Sequence, residues 1–234
     1  MITKEVKRPA KPEDIKAHAK RSFTAHDKAL LARYELVADA IAAMFGQACE
    51  VVVHSLEDLG ESIIKIVNAH VTGRVEGAPI TDLGLHVLNA AYKSKEDVVG
   101  PYFSKSTSGK PLKSTTTVIR NDEGLPIGFL CINFDLSVPF HQILQEFSPS
   151  METPHSGETF APDVTNLVAQ AVADEIEANS HITGVSATAK NRHIVANLED
   201  KGIFEIKGSV ELVASELGLT RHTIYKYLRE MRQE

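Results

Sequence analysis

From Lys28 onward apolar residues recur three and four apart: Leu30, Tyr34, Val37, Ala38, Ile41, Met44 and Phe45. That period predicts an amphipathic helix, which Gly46 ends. The pattern then changes. CEVVVHSL (49–56) is rich in β-branched residues and predicts a strand. SIIKIVNAHVTGR (62–74) predicts a second strand that turns polar as it ends. PITDLGLHVLNAAYKS (79–94) returns to helical spacing through Leu85, Leu88 and Tyr92, with Thr81 as N-cap. STTTVIR (114–120) and IGFLCINFDL (127–136) predict two more strands. Between them NDEGLP places Asn121, Asp122 and Gly124 where the chain must reverse, so the pair reads as a hairpin. The unbroken apolar run of its second strand suits a sheet interior.

Residues 1–27 mix Pro9, Pro12, lysines and alanines without a period and read as a basic tail. A second break falls at 148–162, SPSMETPHSGETFAP, a composition typical of a linker. The expected division is therefore a tail at 1–27, an α+β domain at 28–147, a linker at 148–162 and an all-helical domain at 163–234. The helical part opens with Asp163 as a cap and Val164, Leu167, Val168, Ala171, Val172 and Ile176 on one apolar face up to residue 179. A further helix spans 188–202 and ends at Gly202.

The segment SVELVASELGLTRHTIYKYLREM (209–231) carries the clearest chemistry. Ser209 is expected to cap a short helix whose inward residues are Val210, Val213, Ala214 and Leu217. Gly218 supplies the left-handed residue that a tight turn needs, and Leu219 plugs the junction. Thr220 caps a second helix with Ile224, Tyr227 and Leu228 inward. A small residue where two helices meet, a glycine turn and core spacing on both sides predict a helix-turn-helix. In such a unit the second helix enters the major groove. Its outward residues are Thr220, Arg221, His222, Tyr225, Lys226 and Arg229. Arg221 suits a bidentate contact to guanine, while Tyr225, Lys226 and Arg229 suit phosphate.

The 234-residue chain has a formal net charge of −6, which at first argues against a nucleic-acid partner. The charge is uneven, however: residues 1–33 carry +5, 34–188 carry −12 and 189–234 carry +1. A local basic face is sufficient for DNA, and an acidic remainder lowers non-specific binding. No apolar run is long enough to span a bilayer, and the N-terminus lacks the apolar core of a secretory signal. Cys49 and Cys131 both sit in apolar runs and read as reduced core thiols of a cytoplasmic protein. Enzyme signatures are weak. Ser62 and Lys65 match S-x-x-K inside a strand pattern with none of its companion motifs, and SGK (108–110) lacks the glycine spacing of a phosphate loop. The ten histidines show no ligand spacing, so neither a metal nor a cofactor is expected.

VVVHSLEDLGESIIKIVNAHVTGRVEGAPITDLGL, GKPLKSTTTVIRNDEGLPIGFLCINFDLS and the C-terminal helix pair together resemble the YheO-like regulators, over roughly residues 28–231. The resemblance implies a PAS-like antiparallel sheet with flanking helices as a sensor domain, followed by an all-α helix-turn-helix domain. It also implies transcriptional regulation and a small-molecule effector. The residues suggest a pocket. Asn68, His70, Thr72 and Arg74 follow an apolar strand, Thr81 and Asp82 start the next helix, and Asn133 interrupts FLCINF. Arg74 and Asp82 could hold the carboxylate and ammonium of an amino-acid-like effector. A homodimer or higher homo-oligomer is expected, because one short helix reads few bases, with helix 163–179 as the candidate dimer element. Two other classes compete: an adaptor whose C-terminal helices bind protein, and an enzyme with a helical appendage.

Overall fold

The computed structural model describes residues 22–148, 158, 160–181 and 184–232. Residues 1–21 of the expected tail lie outside the described residues, as do most positions of the expected linker. The chain divides into two compact units, Met1–Met151 and Glu152–Glu234.

Among the described residues the first unit opens with α1 (Ala25–Phe45), three residues before the apolar period begins. Thr24 is the reason. Its hydroxyl accepts the Asp27 N–H, and the Asp27 carboxylate accepts the Thr24 N–H, a reciprocal capping box. Such a cap stabilises a helix start by about 1 kcal/mol. The strands follow as β1 (Cys49–Ser55), β2 (Ile63–Val67), β3 (Val98–Lys105), β4 (Pro111–Arg120) and β5 (Pro126–Asp135). Among the described residues the unit has two more helices, α2 (Asp82–Ala91) between β2 and β3 and α3 (Phe140–Glu146) after β5. The sheet is antiparallel throughout, in the order β2-β1-β5-β4-β3. Asn121 fixes the β4–β5 turn by accepting the N–H groups of Glu123 and Leu125, and it donates to Asp27 at 3.0 Å, tying the turn to the start of α1.

Two strands depart from the sequence pattern, and α3 lies where no helix was expected. β2 ends at Val67 rather than Arg74, because Asn68 takes the left-handed conformation (φ 57°) and the chain turns. β3 has no period-2 signal, and Gly100–Pro101 interrupts its register against β4. A strand on the sheet edge tolerates the missing donor, so the proline does not exclude it.

The sheet has two differently filled faces. Val51, Val53 and Leu130 lie on the α1 side, in the core. There α1 approaches so closely that a Cβ on Gly128 would stand 2.4 Å from Leu31 and 2.6 Å from the His54 carbonyl oxygen. The opposite face carries Glu50, Val52 and His54 of β1, each paired across to Asn133, Cys131 and Phe129 of β5. Ser114, Thr116 and Val118 of β4 continue the same rows.

The second unit is all helical: α4 (Val164–Ala178), α5 (Ala187–Asp200), a 3-10 turn (Ile203–Glu205), α6 (Ser209–Glu216) and α7 (Arg221–Met231). Val168, Val172, Val195, Leu198, Val213 and Ile224 form its centre. Asp163 caps α4 as expected, but the expected apolar face is only partly used. Val164 and Ile176 are exposed, and Glu175 is buried in their place. Its carboxylate accepts from Lys201 and from Asn197, each at 2.7 Å. Burial raises its pKa, but these partners outweigh that effect and hold it below the ordinary carboxylate range.

Candidate functional site

The turn between α6 and α7 is a Schellman arrangement. Gly218 adopts φ +64°, its N–H bonds to Ser215 O at 3.2 Å, and the Leu219 N–H bonds to Ala214 O at 2.8 Å. Thr220 then caps α7, its hydroxyl accepting the Thr223 N–H at 3.2 Å. The α6 cap differs from expectation. Gly208 (φ 86°) holds the cap position, and Ser209 is the first helical residue, fully buried with its hydroxyl unpartnered among the described residues. Ile224, Tyr227 and Leu228 of α7 are buried in the core, as their spacing predicts. The opposite face presents Thr220, Arg221, His222, Tyr225, Lys226 and Arg229, all exposed. Arg221 has a 3.4 Å ion pair to Glu211 and Lys226 a 3.9 Å pair to Glu230. Pairs this long and this wet are worth well under 1 kcal/mol, so both cations remain free to meet a phosphate or a base.

The second candidate is a cavity of about 250 Å³ on the polar face of the sheet, closed by the segment between β2 and α2. Val52, Ile80, Leu112 and Phe129 supply its apolar surface; His54, Thr72, Arg74, Tyr102, Ser114, Thr116, Cys131 and Asn133 supply polar groups. Glu50 lies beside it, fully buried. The Glu50 carboxylate accepts the Thr72 N–H at 3.0 Å, the Thr72 hydroxyl at 2.7 Å and the Asn133 amide at 2.9 Å. A buried carboxylate needs such donors, and here they lock the wall of the cavity. Arg74 is half-buried and donates to the Pro79 carbonyl. Burial lowers its pKa, which Glu50 partly offsets. Burial first, and Arg74 second, push the pKa of His54 down to about 4, so its imidazole is neutral at pH 7. Burial likewise lifts the Cys131 thiol to about 11.

A model of the YheO-like PAS domain matches residues 24–149, and a helix-turn-helix domain model matches residues 168–229. The chain belongs to the YheO-like family. It is 44% identical to YheO of Escherichia coli K12 over 214 residues, 91% of this chain and 89% of that one. A Haemophilus influenzae protein is 43% identical over 219 residues, 92% and 97% of the two chains. DauR, a transcriptional regulator of Pseudomonas aeruginosa, is 28% identical over 206 residues, covering 87% of this chain and 95% of its own. A PAS domain followed by a helix-turn-helix domain is the make-up of a DNA-binding regulator. Among the described residues of this YheO-like chain, no helix is long and apolar enough to cross a membrane.

The pocket residues expected from the sequence divide in two. Arg74, Thr81, Asp82 and Asn133 of the YheO-like chain line the cavity together. Asn68 and His70 do not. The Asn68 amide donates to the carbonyls of Gly46 and Cys49, holding the turn after β2, and His70 is exposed on that turn. Thr81 caps α2, its hydroxyl accepting the Gly84 N–H at 3.0 Å. Cys49 packs in the core as expected, whereas Cys131 faces the cavity. Thr72, also expected near the pocket, lines the cavity, whereas Glu50, Tyr102, Ser114 and Thr116 were missed as candidate residues. Their signal is period 2: polar Glu50 and His54 alternate with valines, and Ser114 and Thr116 share one face of β4.

Proposed function

We propose that this protein is a transcriptional regulator. Its helix α7 reads duplex DNA in the major groove, and the sheet cavity binds a small-molecule effector. One observation supports the DNA reading above the others: α7 buries Ile224, Tyr227 and Leu228 behind a glycine turn while Arg221, Lys226 and Arg229 remain in solvent. A helix that bound a protein partner would be expected to show an exposed apolar stripe; this one shows cations and a tyrosine. The kinship with DauR, a transcriptional regulator, adds weight to the same reading.

Arg221 near the helix start is placed to read a guanine, and Tyr225, Lys226 and Arg229 to hold phosphates. The effector is amino-acid-like: the Arg74 guanidinium takes its carboxylate and Asp82, exposed at the mouth of the cavity, takes its ammonium. The working unit is a homodimer, since one short helix discriminates few base pairs. The exposed Val164 and Ile176 of α4 offer its apolar contact. Effector occupancy then changes operator affinity.

Selection of bound fragments from genomic DNA by the full chain tests the regulator reading. Arg221→Ala with Lys226→Ala should lose at least about tenfold in affinity for the selected site at unchanged melting temperature, since one bidentate base contact alone is worth about 1–3 kcal/mol. Equal affinity of both proteins for that site would refute it. Ile176→Asp should shift the mass measured by light scattering from dimer to monomer.

A further inference from the structure

The cavity beside Arg74 contains two polar groups that the fold leaves without a partner. Ser114 lies on the cavity face of β4 opposite Asn133; it is 2% exposed, and its Oγ has no hydrogen-bond partner among the described residues. A buried hydroxyl left unpaired is costly and uncommon in a native core. His54 is 4% exposed and lines the same cavity. Its Nδ1 stands 2.9 Å from Ser62 Oγ, and its Nε2 makes no hydrogen bond among the described residues.

The tautomer follows from what surrounds Ser62. That hydroxyl has one proton and two acceptors to choose from: His54 Nδ1 at 2.9 Å and Ala78 O at 3.5 Å. The Ala78 oxygen already accepts the N–H groups of Ser62 and Ile63, both at 3.1 Å, so both its lone pairs are engaged. The proton therefore goes to Nδ1, and the neutral ring carries its own hydrogen on Nε2, a donor facing the cavity. The Tyr102 and Thr116 hydroxyls share one hydrogen bond at 2.9 Å, and Thr116 Oγ1 also stands 3.4 Å from Cys131 Sγ.

We infer that the effector is a small amino acid whose side chain ends in a neutral oxygen, a hydroxyl or a carboxamide, which accepts from His54 Nε2–H and pairs with Ser114 Oγ. This rests on the amino-acid reading of Arg74 and Asp82 and adds the recognition of the ligand's other end. Size agrees: about 250 Å³ is on the order of eight water volumes, room for roughly ten non-hydrogen atoms. An aliphatic side chain of the same size would touch the apolar wall but leave both polar groups unpaired. One unpaired buried donor outweighs the gain from one methylene.

The test is calorimetry and thermal shift on the full chain with serine, threonine, asparagine and glutamine. Each is set against an apolar amino acid of matched shape: 2-aminobutyrate, valine, leucine and norleucine. A ligand concentration of about 10 mM nearly saturates a site of millimolar affinity. At least one polar member should bind, and at least about tenfold tighter than its apolar match, because a site built to hydrogen-bond an oxygen rejects the analogue lacking it. Ser114→Ala, which removes the unpaired hydroxyl and keeps the fold, should shrink that ratio, and His54→Phe should shrink it independently. Apolar members binding as well as their polar partners would overturn this inference and leave the amino-acid reading standing. Binding by none of the amino acids would overturn both. A polar preference unchanged in both variants would overturn the assignment to Ser114 and His54.

Discussion

Acidification should weaken the first unit through His54. Folded, this imidazole has a pKa of about 4 against the ordinary 6.5, because burial and the Arg74 charge disfavour its cation. Unfolded, it takes a proton as pH falls through 6.5, while the folded ring does not until about 4. The stability contributed by the neutral ring is therefore complete above 6.5 and is lost as pH falls toward the folded value. Between about pH 7 and pH 5 the loss is about 2 kcal/mol, approaching about 3 kcal/mol at still lower pH. The chain has no tryptophan, so urea unfolding is followed by far-UV circular dichroism. The decisive quantity is the difference in acid slope between the wild type and His54→Gln, since carboxylates contribute alike to both. Imidazole resonances followed by NMR give the folded pKa directly. Arg74→Gln should raise that value yet leave it below 6.5, because burial is the larger cause. An ordinary pKa for His54, or the same acid slope in both proteins, would refute the reasoning.

In the second unit, Glu175→Ala should cost about 1–3 kcal/mol, read as a lowered melting temperature, because it leaves the half-buried Asn197 amide and the Lys201 ammonium without their carboxylate, while Asn179 keeps the residue 175 backbone carbonyl. Gly218→Ala should cost about 1 kcal/mol from its left-handed backbone alone, as nothing stands within 4 Å of the new Cβ; urea titration measures it, and no change would contradict the strained turn. Glu211→Gln removes the 3.4 Å partner of Arg221, so stability should change by less than about 1 kcal/mol while DNA affinity, measured by fluorescence anisotropy on a selected site, rises.

Legibility followed the kind of interaction that decides each feature. The α6–α7 unit was readable because its determinants are local: Gly218 for the turn, Thr220 for the cap, and Ile224 and Leu228 for the buried face. The cap of α6 was misread because Ser209 looks like an N-cap by type, yet the chain places Gly208 there and buries the serine. β3 was invisible, since Gly100 and Pro101 argue against a strand until the edge position is known. Asn68 and His70 lie away from the cavity for a related reason. The chain turns at Asn68, which directs its amide to Gly46 and Cys49 and leaves His70 in solvent.

Periodicity and punctuation along the chain determined the longer helices, the β4–β5 hairpin and the cationic face of α7, because each depends on residues within about a turn or two of one another. The cavity was decided by tertiary structure alone. Glu50, Thr72, Ser114 and Asn133 come from four separate stretches and meet only when strand register sets Glu50 and Ser114 opposite Asn133 and the turn after β2 folds Thr72 onto Glu50. The neutrality of His54 belongs there too, since the sequence specifies an imidazole and only burial beside Arg74 displaces its proton equilibrium.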